Sequence, residues 1–170
     1  MSSATRDYSE VLALAAAMPV LVPPVTDRAR LGAMQRVTRL LWGAFANKPL
    51  SWIGFYQKAE GDEMILICRE PKPACSPIGL HGMCGRGWRD QRPVVIPDIS
   101  TLGGEYIACD PRDKSEVVVP VMNPDGTCWG VLDADSHELA AFTAEDALAI
   151  RDVLERSGLS APSQAGVLTL

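Results

Sequence analysis

Three of the five cysteines in this chain, Cys75, Cys84 and Cys109, fall in irregular stretches rather than in apolar runs. A thiol in a partly exposed, irregular segment can ionise and react. The other two read as small buried hydrophobes, Cys68 at the end of Met64-Ile-Leu-Ile-Cys68 and Cys128 at the start of Cys128-Trp-Gly-Val-Leu. Acids gather around Cys109: Asp110, Asp113 and Glu116 follow it along the chain, and Asp133 and Asp135 lie on a later strand. Side chains alternate along a strand, so Asp133 and Asp135 share a face. Such a pair suits either a cation site or a solvated strand end, and the pattern alone leaves both open. Cys75, His81, Cys84 and Cys109 could be considered as zinc ligands. With no C-x-x-C pair and only two histidines in the chain, the spacing speaks against it, and no metal is expected. Gly82-Met-Cys-Gly85-Arg-Gly87 is glycine-rich but matches neither nucleotide-binding fingerprint.

These residues need elements to hold them. Thr26 or Asp27 can cap a helix in which Leu31, Met34, Val37, Thr38, Leu41 and Phe45 mostly recur at helical spacing, with Asn47 and Pro49 as its stop. Residues 50–57 and 63–69 read as strands joined by a polar turn through Glu60-Gly61-Asp62. Residues 71–87 form a long irregular stretch, 93–99 a short strand, and 100–115 a second irregular stretch. A hairpin follows, 116–122 and 127–135, turning at Asn123-Pro124-Asp125-Gly126. Thr143-Ala-Glu-Asp146 has the form of a capping box and opens a last helix that ends near Ser157-Gly158. This order predicts an α+β fold, an antiparallel sheet with its helices segregated to one face. Two long loops in a compact domain are usually functional, often as lids over a pocket.

The composition fits one domain with a real core: 170 residues, 47% apolar and 22% charged. Residues 1–25 read as an N-terminal helix and connection, 26–158 as the core, and 159–170 as an unstructured or docked tail. Sixteen basic against 21 acidic residues give a net charge of −5, and without a Lys/Arg run nucleic acid is not an expected partner. Five cysteines are too few, and too odd a number, for a secreted disulfide scaffold, so a cytoplasmic location is expected. The apolar stretch 11–25 is flanked by Asp7 and Glu10 and broken by Pro19, Pro23 and Pro24. It reads as a docking helix over 6–18 and its connection, not as an export signal or a membrane span.

The motifs also carry a resemblance. Trp52-Ile-Gly-Phe-Tyr56, Ala74-Cys75-Ser, Gly82-Met-Cys84-Gly, Ile96-Pro-Asp98-Ile, Ile107-Ala-Cys109-Asp, Ser115-Glu116-Val-Val-Val-Pro120 and Gly130-Val-Leu-Asp133-Ala-Asp135-Ser occur in that order. Together, over residues 50–146, they resemble the free methionine-(R)-sulfoxide reductases, which are single GAF-domain enzymes. The resemblance implies a GAF-like fold, with a central antiparallel sheet, helices packed mainly on one face and active-site loops on the other. It implies Cys109 as the nucleophile and Glu116 as a substrate-contacting acid, whose pKa is raised beside other acids so that it can donate a proton. Asp98, Asp133 and Asp135 match the rest of an acidic pocket for the α-ammonium of a free amino acid, and Trp52 and Tyr56 would pack its S-methyl end. Cys75 matches the resolving position, with Cys84 in reserve. The segment between them, Ser-Pro-Ile-Gly-Leu-His-Gly-Met, looks about one residue shorter than the family's loop and lacks its basic residues, which leaves the resolving thiol open. No bound cofactor is implied. Thioredoxin is the implied electron donor, and a homodimer the implied assembly. The rival reading is a GAF module that binds a small molecule or senses redox state without turnover, which would not need a nucleophile and two further loop thiols. A thiol peroxidase would need a Pro-x-x-x-Thr-x-x-Cys setting that this chain lacks.

Overall fold

The chain alternates helix and sheet segments in an order that places two long connections on the same side. In the computed structural model, residues 6–23, 25–46, 48–106 and 109–170 are described. Pro24 and Asn47, read above as a break and a helix stop, lie outside them, as do Ile107 and Ala108 of the Cys109 motif. Helix α1 spans Ser9–Ala16, within the expected 6–18, and α2 spans Asp27–Phe45. Strands β1 (Leu50–Lys58) and β2 (Glu63–Glu70) follow, then β3 (Ile78–Gly79), α3 (Met83–Asp90) and β4 (Val94–Ile96). A 3-10 segment, Ile99–Glu105, leads toward β5 (Ser115–Met122), β6 (Cys128–Ser136), α4 (Ala144–Arg156) and β7 (Leu168–Thr169).

The strands form one seven-stranded sheet in the order β3-β2-β1-β6-β5-β4-β7. Every pairing is antiparallel except β4 with β7, so the sheet is mixed at that edge. Alternation along the strands divides the apolar side chains. Ile53 and Phe55 of β1, Val117, Val119 and Val121 of β5, and Leu132 and Ala134 of β6 pack with α1, α2 and α4 into the larger core. Trp52, Tyr56, Val118 and Val131 point the other way, into a second cluster with Met83 and Cys84 of α3.

Local signals set the helix ends. The Thr26 hydroxyl accepts from the Ala29 amide at 3.2 Å, and Thr143 and Asp146 form both arms of a capping box at the start of α4. Asp146 also ties down the N-terminal segment: it pairs with Arg6 at 3.0 Å and accepts from the Tyr8 hydroxyl at 3.1 Å, all three groups being buried.

One segment departs from expectation, and at the tail one of the two readings left open is the one found. The stretch 71–87 holds β3 and most of α3's first turns, because its glycines allow backbone packing that sequence propensity does not register. The tail is docked: Leu159 is buried, the Ala161 amide donates to Met122 O at 2.9 Å, and β7 adds to β4.

Candidate active site

Register across the three central strands assembles the site. Trp52, Gly54 and Tyr56 of β1 share a face with Glu116 and Val118 of β5 and with Asp133 and Asp135 of β6. Asp135 lies between Trp52 and Glu116 in one row of cross-strand partners, and Asp133 between Gly54 and Val118 in the next. The glycine makes room for the Trp52 ring, which packs over it: a Cβ at Gly54 would lie 2.5 Å from that ring. The result is a cavity of about 450 Å³, counting its open mouth, roofed by Ala74, Met83, Cys84, Tyr106 and Cys109. Two loops and α3 thus meet over a carboxylate-bearing sheet face, as the two-loop reading required.

The acids inside are short of partners. Oε2 of Glu116 and Oδ1 of Asp133 are buried and make no hydrogen bond, and Cys84 Sγ and carboxyl oxygens of both lie within 4.8 Å of one another. Burial pushes the Glu116 carboxyl well above the usual carboxylate range, and the neighbouring Asp133 charge adds to it. Burial likewise pushes Asp133 up to about 7. Asp135 is raised by burial and then by the charge of Asp133. Carboxyls so close cannot all ionise together, so the group holds protons at neutral pH. Burial and the Asp133 charge raise the Cys84 thiol, which keeps its proton too.

At the rim, Cys75 and Cys109 form a disulfide across a Cα–Cα distance of 5.6 Å, and both are exposed. The Cys75 loop is fastened to β1 by the residues that line the cavity. Trp52 Nε1 donates to Lys72 O and the Tyr56 hydroxyl donates to Cys75 O, each at 2.8 Å. Trp52 and Tyr56 lie with ring centroids 6.2 Å apart, forming an aromatic wall. Of the remaining cysteines, Cys84 is free and buried in the cavity wall. Cys68 and Cys128 are buried in strands, beside Thr38 and Gly130 O.

Asp98 stands apart from this group. Its carboxylate accepts from the Ser100 amide at 3.0 Å and the Ser100 hydroxyl at 2.6 Å, capping the 3-10 segment, and those bonds hold its pKa below the usual range. It does not line the cavity. Asp113, Tyr106 and Met83 do, although the sequence singled out none of them for the site. Asp113 is buried, and burial together with the Asp110 charge raises it to about 6. Its place among the acids after Cys109 was the available signal; Tyr106 offered none, and Met83 belongs to a helix the sequence hides.

Among the described residues, two groups of potential metal ligands converge: Cys84, Glu116 and Asp133, and Asp110, Asp113 and His137. Protons hold the first at neutral pH, and Lys72 and Arg112 already neutralise Asp110 in the second. Neither is the set Cys75, His81, Cys84 and Cys109 weighed above. No helix among the described residues is long and apolar enough to cross a membrane.

The family model of the GAF domain matches residues 29–159, and the chain belongs to the GAF-domain family. Within that family its similarity runs to a particular kind of enzyme. It is 33% identical over 118 residues to the free methionine-R-sulfoxide reductase of Saccharomyces cerevisiae, a match spanning 66% of this chain and 65% of the yeast protein's length. Among solved structures it is similar to the free methionine-R-sulfoxide reductase of Neisseria meningitidis in complex with its substrate, at a TM-score of 0.74 and 30% identity. That likeness covers 92% of this chain and 94% of the other. The Staphylococcus aureus fRMsr, also in complex with substrate, gives a TM-score of 0.72 at 25% identity, covering 92% and 99%.

Proposed function

We propose that this chain reduces free methionine-(R)-sulfoxide to methionine, using Cys109 as the nucleophile. The observation that carries this reading is the Cys75–Cys109 disulfide at the rim of a cavity walled by the partnerless carboxyls of Glu116 and Asp133. A thiol that cycles through a disulfide, set over buried acids that hold protons, is the equipment that two-electron reduction of a polar S=O group needs.

In this reading the Cys109 thiolate attacks the sulfoxide, and Glu116, kept neutral by burial, protonates the oxygen. The substrate's sulfur–oxygen bond breaks and the oxygen ends on Cys109 as a sulfenic acid. The methionine sulfur gains two electrons and the Cys109 sulfur loses two. Ionised members of the Asp133 and Asp135 pair bind the α-ammonium, while Trp52 and Tyr56 pack the S-methyl end. Cys75 then condenses with the sulfenic acid, releasing water, and Cys84 stays in reserve as a buried, protonated thiol. Thioredoxin returns the disulfide to two thiols by exchange. Asp98, capping its own turn, is left outside this scheme. A homodimer in the cytoplasm belongs to the same reading, and light scattering checks the assembly.

The deciding experiment is NADPH consumption in a thioredoxin-coupled assay with separated R and S epimers of free methionine sulfoxide. The expected result is turnover of the R epimer with stoichiometric methionine. Saturable binding of methionine sulfoxide with no methionine formed would replace this reading with that of a ligand-binding module.

A further inference from the structure

We infer that Lys72 and Asp110 are positioning residues: their ion pair clasps the loop of Cys109 to the loop of Cys75 and so sets how readily the two sulfurs join. The inference rests on the cysteine roles just proposed, but part of its test does not.

The geometry is specific. Lys72 lies three residues before Cys75, and Asp110 directly follows Cys109. Lys72 Nζ pairs with Asp110 Oδ2. Among the described residues, this is the one polar contact besides the disulfide that joins segment 71–77 to segment 109–113. Both ends are held ready for it. The Lys72 carbonyl is fixed by Trp52 Nε1, and Cys75 O by the Tyr56 hydroxyl, so the Cys75 side is anchored to β1 at two points. On the other side, the Asp110 carboxylate is aimed by the Arg112 amide at 3.0 Å and by its guanidinium at 2.8 and 3.0 Å. These bonds hold Asp110 ionised, far below the usual carboxylate range. Among the described residues, the far end of the Cys109 loop meets β1 through Asp113 beside Ser51, and once the disulfide is reduced the ion pair is the remaining polar tie between segments 71–77 and 109–113.

The clasp acts on one step. In resolution the Cys75 thiolate attacks the Cys109 sulfenic sulfur, the S–S bond forms, the S–O bond breaks, and the departing hydroxide takes a proton and leaves as water. Cys75 is oxidised and Cys109 returns from the sulfenic to the disulfide level, so no further reagent is needed. Holding the loops together raises the effective concentration of one sulfur near the other. Attack on the substrate involves Cys109 alone and gains nothing from it.

The sign of the effect separates a clasp from a bare charge. A lysine acting only as a nearby cation would stabilise thiolates, so its removal would strengthen the disulfide. Removing a clasp weakens it. The test equilibrates parent, Lys72→Met, Asp110→Asn and Lys72→Arg with glutathione redox buffers and quantifies the Cys75–Cys109 disulfide by mass spectrometry, which requires no substrate. A half-exposed pair predicts a shift of about fivefold toward the dithiol in Lys72→Met and Asp110→Asn, with Lys72→Arg close to parent. High salt is expected to move the parent toward the Lys72→Met value and to leave that variant unchanged. An unchanged equilibrium in Lys72→Met, or a shift toward disulfide, overturns the clasp. In single-turnover rapid quench, Lys72→Met is expected to release its first methionine at the parent rate while dimedone traps more sulfenic acid. An equal loss in both phases would mean a structural role and also overturns it. If the parent itself forms no methionine, the functional reading fails, and the glutathione equilibrium still decides on the clasp.

Discussion

Cys109 and Cys75 share one disulfide, yet their replacements are expected to fail in different ways. Cys109→Ser is expected to abolish even a single turnover, since a hydroxyl without a dedicated base is far too weak a nucleophile. Cys75→Ser is expected to release one methionine per subunit and then stall as a sulfenic acid that a dimedone-type probe traps. Cys84→Ser keeps most turnover if Cys75 resolves. A methionine burst from Cys109→Ser equal to that from Cys75→Ser would refute the assignment. The carboxylates invite a second measurement. If Asp133 and Asp135 hold the α-ammonium, N-acetyl methionine sulfoxide leaves buried charge uncompensated, costing about 2–5 kcal/mol, or roughly 30-fold or more in kcat/KM. Comparable rates on the free and acetylated compounds would remove these two residues from substrate recognition. At this scale the sequence is only half legible. Asp133 and Asp135 were readable because alternation on a strand puts them on one face. Asp98 misleads because an aspartate two residues before a serine can spend its oxygens on its own backbone, as it does with Ser100.

Among the elements, α3 was the hardest to foresee and the most consequential for the cavity. Each glycine costs a helix interior ~1 kcal/mol relative to alanine, so Gly85 and Gly87 disguise Met83–Asp90 as loop. Packing requires them. A Cβ at Gly85 would lie 2.0 Å from Leu80 O, and one at Gly87 2.7 Å from Val118 Cγ1. The longer strands and α2 and α4 were legible because alternation, apolar spacing and capping residues agree with burial there. In α3 a tertiary contact overrides local preference. The two glycines give a graded test. Gly85→Ala meets backbone and is expected to destabilise by about 1–3 kcal/mol, with a raised KM because Met83 and Cys84 wall the cavity. Gly87→Ala meets a valine methyl that can turn aside, and its loss is expected to be smaller. Urea denaturation with parallel kinetics checks the order, and a Gly85→Ala protein as stable as the parent would show that Leu80 gives way.

Over the whole molecule, the buried acids are expected to dominate how stability varies with pH. Glu116, Asp133 and Asp135 are all raised by burial, with Asp133 near 7, and Asp113 is raised to about 6. In the unfolded chain the same groups titrate near 4. Between those values the folded protein binds more protons than the unfolded one, so stability falls as pH rises, by up to about 1.4 kcal/mol per pH unit for each proton involved. The contribution is therefore complete below pH 4, declines through the interval to 7, and for Asp133 is lost above it. Asp110 runs oppositely, since its depressed pKa favours folding above its unfolded value and is felt only under more acidic conditions. A ligand-free melting series at constant ionic strength is thus expected to give a higher Tm at pH 5.5 than at 7.5, with about 2–4 °C for each kcal/mol in a chain of this length. Asp133→Asn removes one titrating member and is expected to flatten the profile and raise the Tm at pH 7.5. Free methionine, which offers an ammonium group to the ionised acids, is expected to raise the Tm more at pH 7.5 than at 5.5. A flat or rising profile in the parent would mean that the acids are already ionised and compensated in the folded state, and with that the proton attributed to Glu116 would be lost.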